Sequence, residues 1–137
     1  MHGGGFLALS SRSMQTYTRR WARDLKVPVF SIDYRMPPLY RFPAAPYDCF
    51  IVYEFIVKYI KKYFNINPRK IILAGDSAGG NLACSLMGLI LKYKLPPPHG
   101  IYLAYPACDL RRIFSPSRIY SFTDPLLNPP MLMLCLK

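Results

Sequence analysis

Ser77 stands in Gly75-Asp76-Ser77-Ala78-Gly79, directly after the apolar run Ile71-Ile72-Leu73-Ala74 and before Gly80-Asn81-Leu82. A bare G-x-S-x-G carries little meaning. Between an apolar strand and a helix it describes a turn that reverses the chain within a few residues and strains the serine backbone. Gly75 and Gly79 lack the Cβ atoms that would collide in such a turn. The hydroxyl of Ser77 is then presented at the start of the following helix, where it can attack a carbonyl carbon. The second candidate feature is His2-Gly3-Gly4-Gly5. Consecutive glycines let backbone N–H groups converge on one point, and such donors stabilise the oxyanion of acyl transfer by about 3–4 kcal/mol each. Gly3, Gly4 and Gly5 are the donors this loop offers, and the amide of Ala78 is a further one. The two motifs supply complementary parts of one acyl-transfer site. They predict Ser77 at a strand-to-helix turn, with its hydroxyl near the amides of Gly4 or Gly5.

Proton transfer is the part not supplied. A serine hydrolase with this turn orders its triad as Ser, then Asp or Glu, then His. After Ser77 the chain has one histidine, His99, and two acids, Asp109 and Asp124. His99 lies between Pro98 and Gly100 and precedes both acids, so it reads as a loop residue. The expectation is a nucleophile half without the catalytic acid and base.

Several elements must position these residues. Residues 2–12 read as a loop rich in Gly and Ser. Ser13 predicts a capped helix over 14–26, with Tyr17, Trp21, Ala22 and Leu25 on one face. Val27–Ile32 reads as a short buried strand, with Pro28 near its start where a missing N–H is tolerated. Residues 33–46 hold Pro37, Pro38, Pro43 and Pro46 and read as a long loop. The strongest helix pattern is 47–64. There Cys49, Val52, Tyr53, Ile56, Ile60 and Tyr63 share a face, opposite Glu54, Lys58, Lys61 and Lys62. Ile71–Ala74 is a strand, 79–93 a helix, and Ile101–Tyr105 a third strand. Residues 106–128 read as mostly loop, and 129–136 as a short helix. Strand, helix, strand, helix, strand predicts an α/β fold: a three-layer sandwich on a parallel sheet.

Length and composition bound the rest. The 137 residues suit one small core, and 52% apolar with 18% charged residues is a globular composition. The formal charge of +11 favours an anionic partner, such as an acidic lipid surface, although no run of like charges forms a basic tail. No nucleic-acid motif is visible, and no apolar stretch is long enough for a transmembrane segment. Cys49, Cys84, Cys108 and Cys135 are widely spaced, which predicts reduced thiols rather than a disulfide or zinc framework. No metal and no cofactor are expected.

These motifs resemble the α/β-hydrolases, and among them the hormone-sensitive lipase family of esterases and lipases. The likeness runs through nearly the whole chain. Ser31-Ile32-Asp33-Tyr34-Arg35 is similar to the family's strand end and turn. Phe42-Pro43-Ala44-Ala45 is similar to its F-P-A-A helix start, and Asp48 to the acid that follows. Ser115-Pro116-Ser117-Arg118 and Asp124-Pro125-Leu126-Leu127 look closer to the animal type than to the microbial esterases. Met36-Pro37-Pro38-Leu39 departs from the pattern in lacking its Glu. The resemblance implies hydrolysis of acylglycerols, sterol esters or other carboxylic esters, with oxyanion donors at Gly4, Gly5 and Ala78. His2, Asp76, Gly75 and Gly79 then support the site structurally. It also implies that Asp124 comes too early to be the triad acid. Residues 1–137 are expected to be one partial catalytic domain, cytoplasmic, at a lipid droplet or membrane surface. The competing expectation is an inactive binding module, or a truncated product with a basic surface for acidic lipid or nucleic acid.

The resemblance further implies that a strand is missing between Val27–Ile32 and Ile71–Ala74. Either an open slot or a direct pairing of those two runs follows, and only Ile71–Ala74 with Ile101–Tyr105 pairs as in the parent fold. Such a chain is expected to be marginal and prone to aggregate through its exposed strand edges.

Overall fold

The computed structural model describes residues 1–113 and 115–135. The chain forms two compact units, Met1–Ala107 and Cys108–Lys137. The first unit holds α1 (Gln15–Leu25), α2 (Ala44–Phe64), β1 (Ile72–Asp76), α3 (Ala78–Lys92) and β2 (Gly100–Ala104). The second holds α4 (Pro116–Tyr120), a single 3-10 turn (Ser121–Thr123) and α5 (Pro129–Cys135).

β1 and β2 pair in parallel, with Ile72 opposite Gly100 and Asp76 opposite Ala104. A parallel pair needs a crossover, and α3 supplies it. Alternation along β1 sends Leu73 and Gly75 to the buried side. α3 packs there, burying Leu82, Ala83, Leu86 and Ile90 at helical spacing. α2 packs on α3, and Tyr34, Cys49, Tyr53, Leu73, Leu82, Leu86 and Ile90 form one core cluster. The Tyr53 hydroxyl donates to the Pro96 carbonyl at 2.6 Å, so its polar tip is satisfied. The opposite face of the sheet meets α1, where Trp21 packs edge-on against Tyr102 with ring centres 6.1 Å apart. Helices thus lie on both faces of a parallel sheet in an α/β arrangement, α3 covering one face and α1 only touching the other, where Ile72 and Tyr102 stay exposed.

α2 follows from its sequence. Lys58 donates to Glu54 one turn back at 2.6 Å, Lys61 and Lys62 sit in the last turn where the helix dipole favours cations, and Asn65 ends the helix in the left-handed conformation. It starts at Ala44, three residues before the expected start, with Pro46 in the first turn where its missing N–H is harmless. An ion pair ties down its N-terminal part just past the first turn. Arg35 reaches Asp48 through both Nε and Nη2, the latter at 2.8 Å, and the Arg35 backbone N–H donates to the same carboxylate. These hydrogen bonds hold the Asp48 carboxyl below the usual carboxylate range.

Some expectations need correction. Val27–Ile32 joins no strand ladder among the described residues, and Val27, Val29 and Phe30 are exposed rather than buried. A β-branched run becomes a strand only when a neighbour takes its N–H and C=O groups, and the sheet holds β1 and β2 alone. Those residues do not pair with Ile71–Ala74 either, so the direct pairing weighed above does not occur. Leu25, at the end of α1, and Tyr63, in the last turn of α2 beyond the buried Ile60, share the expected faces but lie open to solvent. Ser13 does not cap α1; its cap position is Met14, with no side-chain bond. Most of the described residues of 106–128 are loop, as expected, with α4 and the 3-10 turn set within them. Ser115 caps α4 by accepting from the Arg118 N–H, and Pro116 sits in its first turn. A Ser-Pro pair is a readable helix start, but five residues leave no periodicity to detect.

Cys49 is fully buried, and desolvation pushes its thiol up to about 12. Cys84 and Cys108 are exposed. With a maleimide at neutral pH we expect rapid labelling of Cys84 and Cys108. Cys49 should label only when denaturant opens the fold, as read by mass spectrometry of the peptides. Equal labelling of all three in native buffer would contradict the core described here.

Candidate active site

β1 ends in Asp76, and Ser77 follows with φ 51° and ψ −117° before α3 begins at Ala78. This positive φ is costly for a residue with a side chain, and the surroundings enforce it. Ser77 N–H donates to the Ala104 carbonyl at 2.9 Å, and the Ser77 carbonyl accepts from Ala107 N–H at 3.1 Å and Asn81 N–H at 3.2 Å. The Asn81 side chain closes the clamp by donating to the Ala107 carbonyl. The turn is tight enough that a Cβ on Gly75 would lie 2.2 Å from the Gly79 carbonyl oxygen. Ala78 and Gly79 are buried in the first turn of α3.

The glycine loop lies against this same turn. A Cβ on Gly79 would lie 2.3 Å from the Met1 carbonyl oxygen and 2.6 Å from that of His2. The Met1 nitrogen donates to the Ala74 carbonyl at 2.7 Å, and Gly3 N–H donates to Asp76 Oδ1 at 3.1 Å. Gly4 and Gly5 take φ of 108° and 63°, and the Gly4 carbonyl accepts from Leu7 and Ala8. The Gly3 N–H is thus committed to the Asp76 carboxylate.

His2 is 1% exposed and stacks on Tyr34 with ring centres 4.4 Å apart. Its Nδ1 lies 2.7 Å from the Gly3 carbonyl oxygen, which can only accept, so Nδ1 carries the proton. His2 Nε2 is buried without a hydrogen-bond partner among the described residues. The Tyr34 hydroxyl donates to the His2 carbonyl at 2.7 Å, and burial pushes the phenol's ionisation well up. Asp76 is held from another side by Tyr17 of α1, whose hydroxyl donates to Oδ1 at 3.1 Å. Burial first, and the Asp76 charge second, push Tyr17 up to about 12, so it remains a donor at any physiological pH. Sequence reasoning assigned neither tyrosine a polar role. The Tyr17 pattern marks a helix face, and its partner is 59 residues away.

The remaining titratable candidates are each held by partners of their own. His99 sits where the sheet begins: its N–H donates to the Ile71 carbonyl at 2.8 Å, and its Nδ1 accepts from Ile71 N–H at 3.2 Å. Ile71 and Ser77 are six residues apart along β1, roughly 20 Å at strand rise. Asp109 is paired with Arg111 at 2.7 Å, which holds its carboxyl far below the usual range. Asp124 Oδ1 accepts from the Leu126 and Leu127 N–H groups in a local turn, and its carboxyl is likewise held down. Among the described residues no three His, Cys, Asp or Glu side chains gather in a way that could hold a metal ion. No helix there is long and apolar enough to cross a membrane.

A parallel crossover that ends one strand in a serine held at positive φ is the architecture of the α/β hydrolases. A family model described as alpha/beta hydrolase fold matches residues 1–137, and the chain belongs to that family, in its hormone-sensitive lipase branch. Mouse hormone-sensitive lipase is 44% identical over 135 residues, which is 98% of this chain and 18% of the lipase. An ethyl acetate hydrolase of Pseudomonas putida is 33% identical over 110 residues, 80% of this chain and 34% of that protein. Among solved structures, an esterase of Pyrobaculum calidifontis superimposes with a TM-score of 0.89 at 31% identity, covering 98% of this chain and 44% of the esterase. The chain thus spans about a fifth of the animal lipase and under half of the solved esterase.

Proposed function

We propose that residues 1–137 are the nucleophile-bearing part of one catalytic domain of a serine carboxylester hydrolase, acting on acylglycerols or related lipid and small-molecule esters. The observation that carries this reading is the docking of the glycine loop on the serine turn: Gly3 bonds the residue before Ser77, while Gly79 admits the loop against the residues after it. Ser77 Oγ attacks the ester carbonyl, and the amides of Gly4, Gly5 and Ala78 hold the oxyanion as the tetrahedral centre forms. His2, Tyr34, Asp76 and Tyr17 act through the loop rather than on the substrate. The proton of Ser77 passes to a histidine–acid pair outside these residues, since neither His2 nor His99 is free to reach it. The positive surface favours peripheral association with acidic lipid, and a cytoplasmic location at a droplet or membrane.

A fluorophosphonate probe tests the reading, because it reports an activated serine directly. In the protein that carries this chain, we expect a single labelled peptide containing Ser77 and no label in Ser77→Ala. Binding of a lipid ester with no labelling of Ser77 would favour the inactive binding module instead.

A further inference from the structure

The end of the unit Met1–Ala107 at which the strands begin is not used by the ester-hydrolase reading. α2 and α3 both finish there, and the loop into β1 crosses it. Lys61, Lys62, Arg69, Lys70, Lys92 and Lys94 lie on these segments, all exposed. No Asp or Glu occurs from Phe55 to Gly75 or from Ser77 to Cys108, and Asp76 stands at the far end of β1. Glu54, the acid just before this stretch, is paired with Lys58. Cations therefore gather on these segments with no carboxylate of their own to offset them, and Asp24, in the last turn of α1, is paired with Arg23.

Large apolar side chains are interleaved with these cations. Tyr63 is 63% exposed, Phe64 59% and Leu91 63%, and Tyr59 and Tyr93 are also open. Phe55 stacks on Tyr63 at 5.8 Å and meets Phe64 edge-on at 6.3 Å, so the rings form a fixed cluster. Lys62 Nζ lies 5.4 Å from the Tyr63 ring centre, and Lys92 Nζ 5.6 Å from that of Tyr93. Amphipathic rings beside long cationic stems suit the headgroup layer of an anionic bilayer, where each Lys or Arg adds to the attraction. Two of the rings carry a lysine over one face, which is the face a nucleic-acid base would stack on.

We propose that this strand-start end is the docking face for an anionic lipid surface. The proposal deepens the lipid-surface reading above and does not depend on catalysis by Ser77. Ser77 follows the opposite end of β1, so the docking face and the serine lie at opposite ends of the sheet.

Flotation with phosphatidylcholine vesicles, with and without about 30 mol% phosphatidylserine, tests it in the protein that carries this chain. We expect binding to the anionic vesicles alone, reversed by high salt. Charge reversal at Lys61, Lys62, Lys92 and Lys94 should lower partitioning roughly 100-fold. Y63S combined with F64S keeps the charge and should weaken vesicle binding severalfold. Reversal of Arg19 and Arg20 on α1 should change it little. If the α1 reversal abolishes binding and the Lys61/Lys62/Lys92/Lys94 reversal does not, the docking face is wrong while the lipid-surface reading stands. If anionic vesicles do not bind at all, that reading falls too. Tighter binding to duplex DNA than to vesicles, unmoved by Y63S/F64S, would overturn the proposal in favour of a nucleic-acid surface. Fluorophosphonate labelling of Ser77 in each variant shows that the fold is intact and keeps the hydrolase reading separate.

Discussion

The 137-residue chain by itself is expected to hydrolyse p-nitrophenyl acetate no faster than its Ser77→Ala variant. A serine hydroxyl is a weak nucleophile until a neighbouring base takes its proton. The chain has two histidines. His2 is buried under Tyr34 with its Nδ1 proton on the Gly3 carbonyl, and His99 is bonded to Ile71 at the wrong end of β1. Asp76 next to Ser77 accepts from Gly3 and Tyr17 and has no imidazole to orient. In the protein that carries this chain, the same Ser77→Ala change should lower kcat by a factor on the order of 10⁶, as removal of the nucleophile does in subtilisin. Turnover of about 1 s⁻¹ or more by the 137-residue chain, abolished by Ser77→Ala, would mean that one of these histidines does reach the hydroxyl.

The second large effect comes from a single methyl group placed at two positions of one helix. Gly79 and Gly88 both lie in α3. A Cβ on Gly79 would sit 2.3 Å from the Met1 carbonyl oxygen, a backbone atom that no rotamer change can move. A Cβ on Gly88 meets nothing within 4 Å. Gly79→Ala should therefore lower stability by about 3 kcal/mol, at the upper end for overpacking, and lift the glycine loop off the serine turn. Gly88→Ala should raise stability by nearly 1 kcal/mol, because alanine is the better helix former. Urea midpoints of the two variants against the parent measure both. Equal shifts of the same sign would show that the loop does not rest on α3 as described.

The unit from β1 to β2 was legible because each part of it is local. The apolar run, the Gly-x-Ser-x-Gly turn and the helix after it lie within some twenty residues, and their boundaries fall within a residue or two of those expected. The glycine loop was legible as chemistry, yet not residue by residue. Nothing in His2-Gly3-Gly4-Gly5 indicates that the Gly3 amide is committed to Asp76, since that bond joins residues 73 apart. Tyr34 and Tyr17 escaped for the same reason: aromatic side chains read as core, and their hydroxyl partners are distant in sequence. Val27–Ile32 has the composition of a strand, but a ladder depends on a neighbour rather than on composition. Leu25 and Tyr63 sit at helical spacing on apolar faces and are exposed all the same, because periodicity marks a face without saying how far along it the core extends.

The bonds from Met1 to Ala74 and from Gly3 to Asp76 also bear on the order in which the molecule assembles. β1, α3 and β2 are contiguous and can form early, as contacts of short sequence separation do. The glycine loop must close a chain of some seventy residues before it gains anything from the serine turn, and that closure entropy falls due ahead of the contacts that offset it. The glycine loop and the serine turn therefore come together late in refolding, after the helices that flank them. In a refolding experiment on the protein that carries this chain, recovery of helical circular dichroism should run ahead of recovery of a reactive serine.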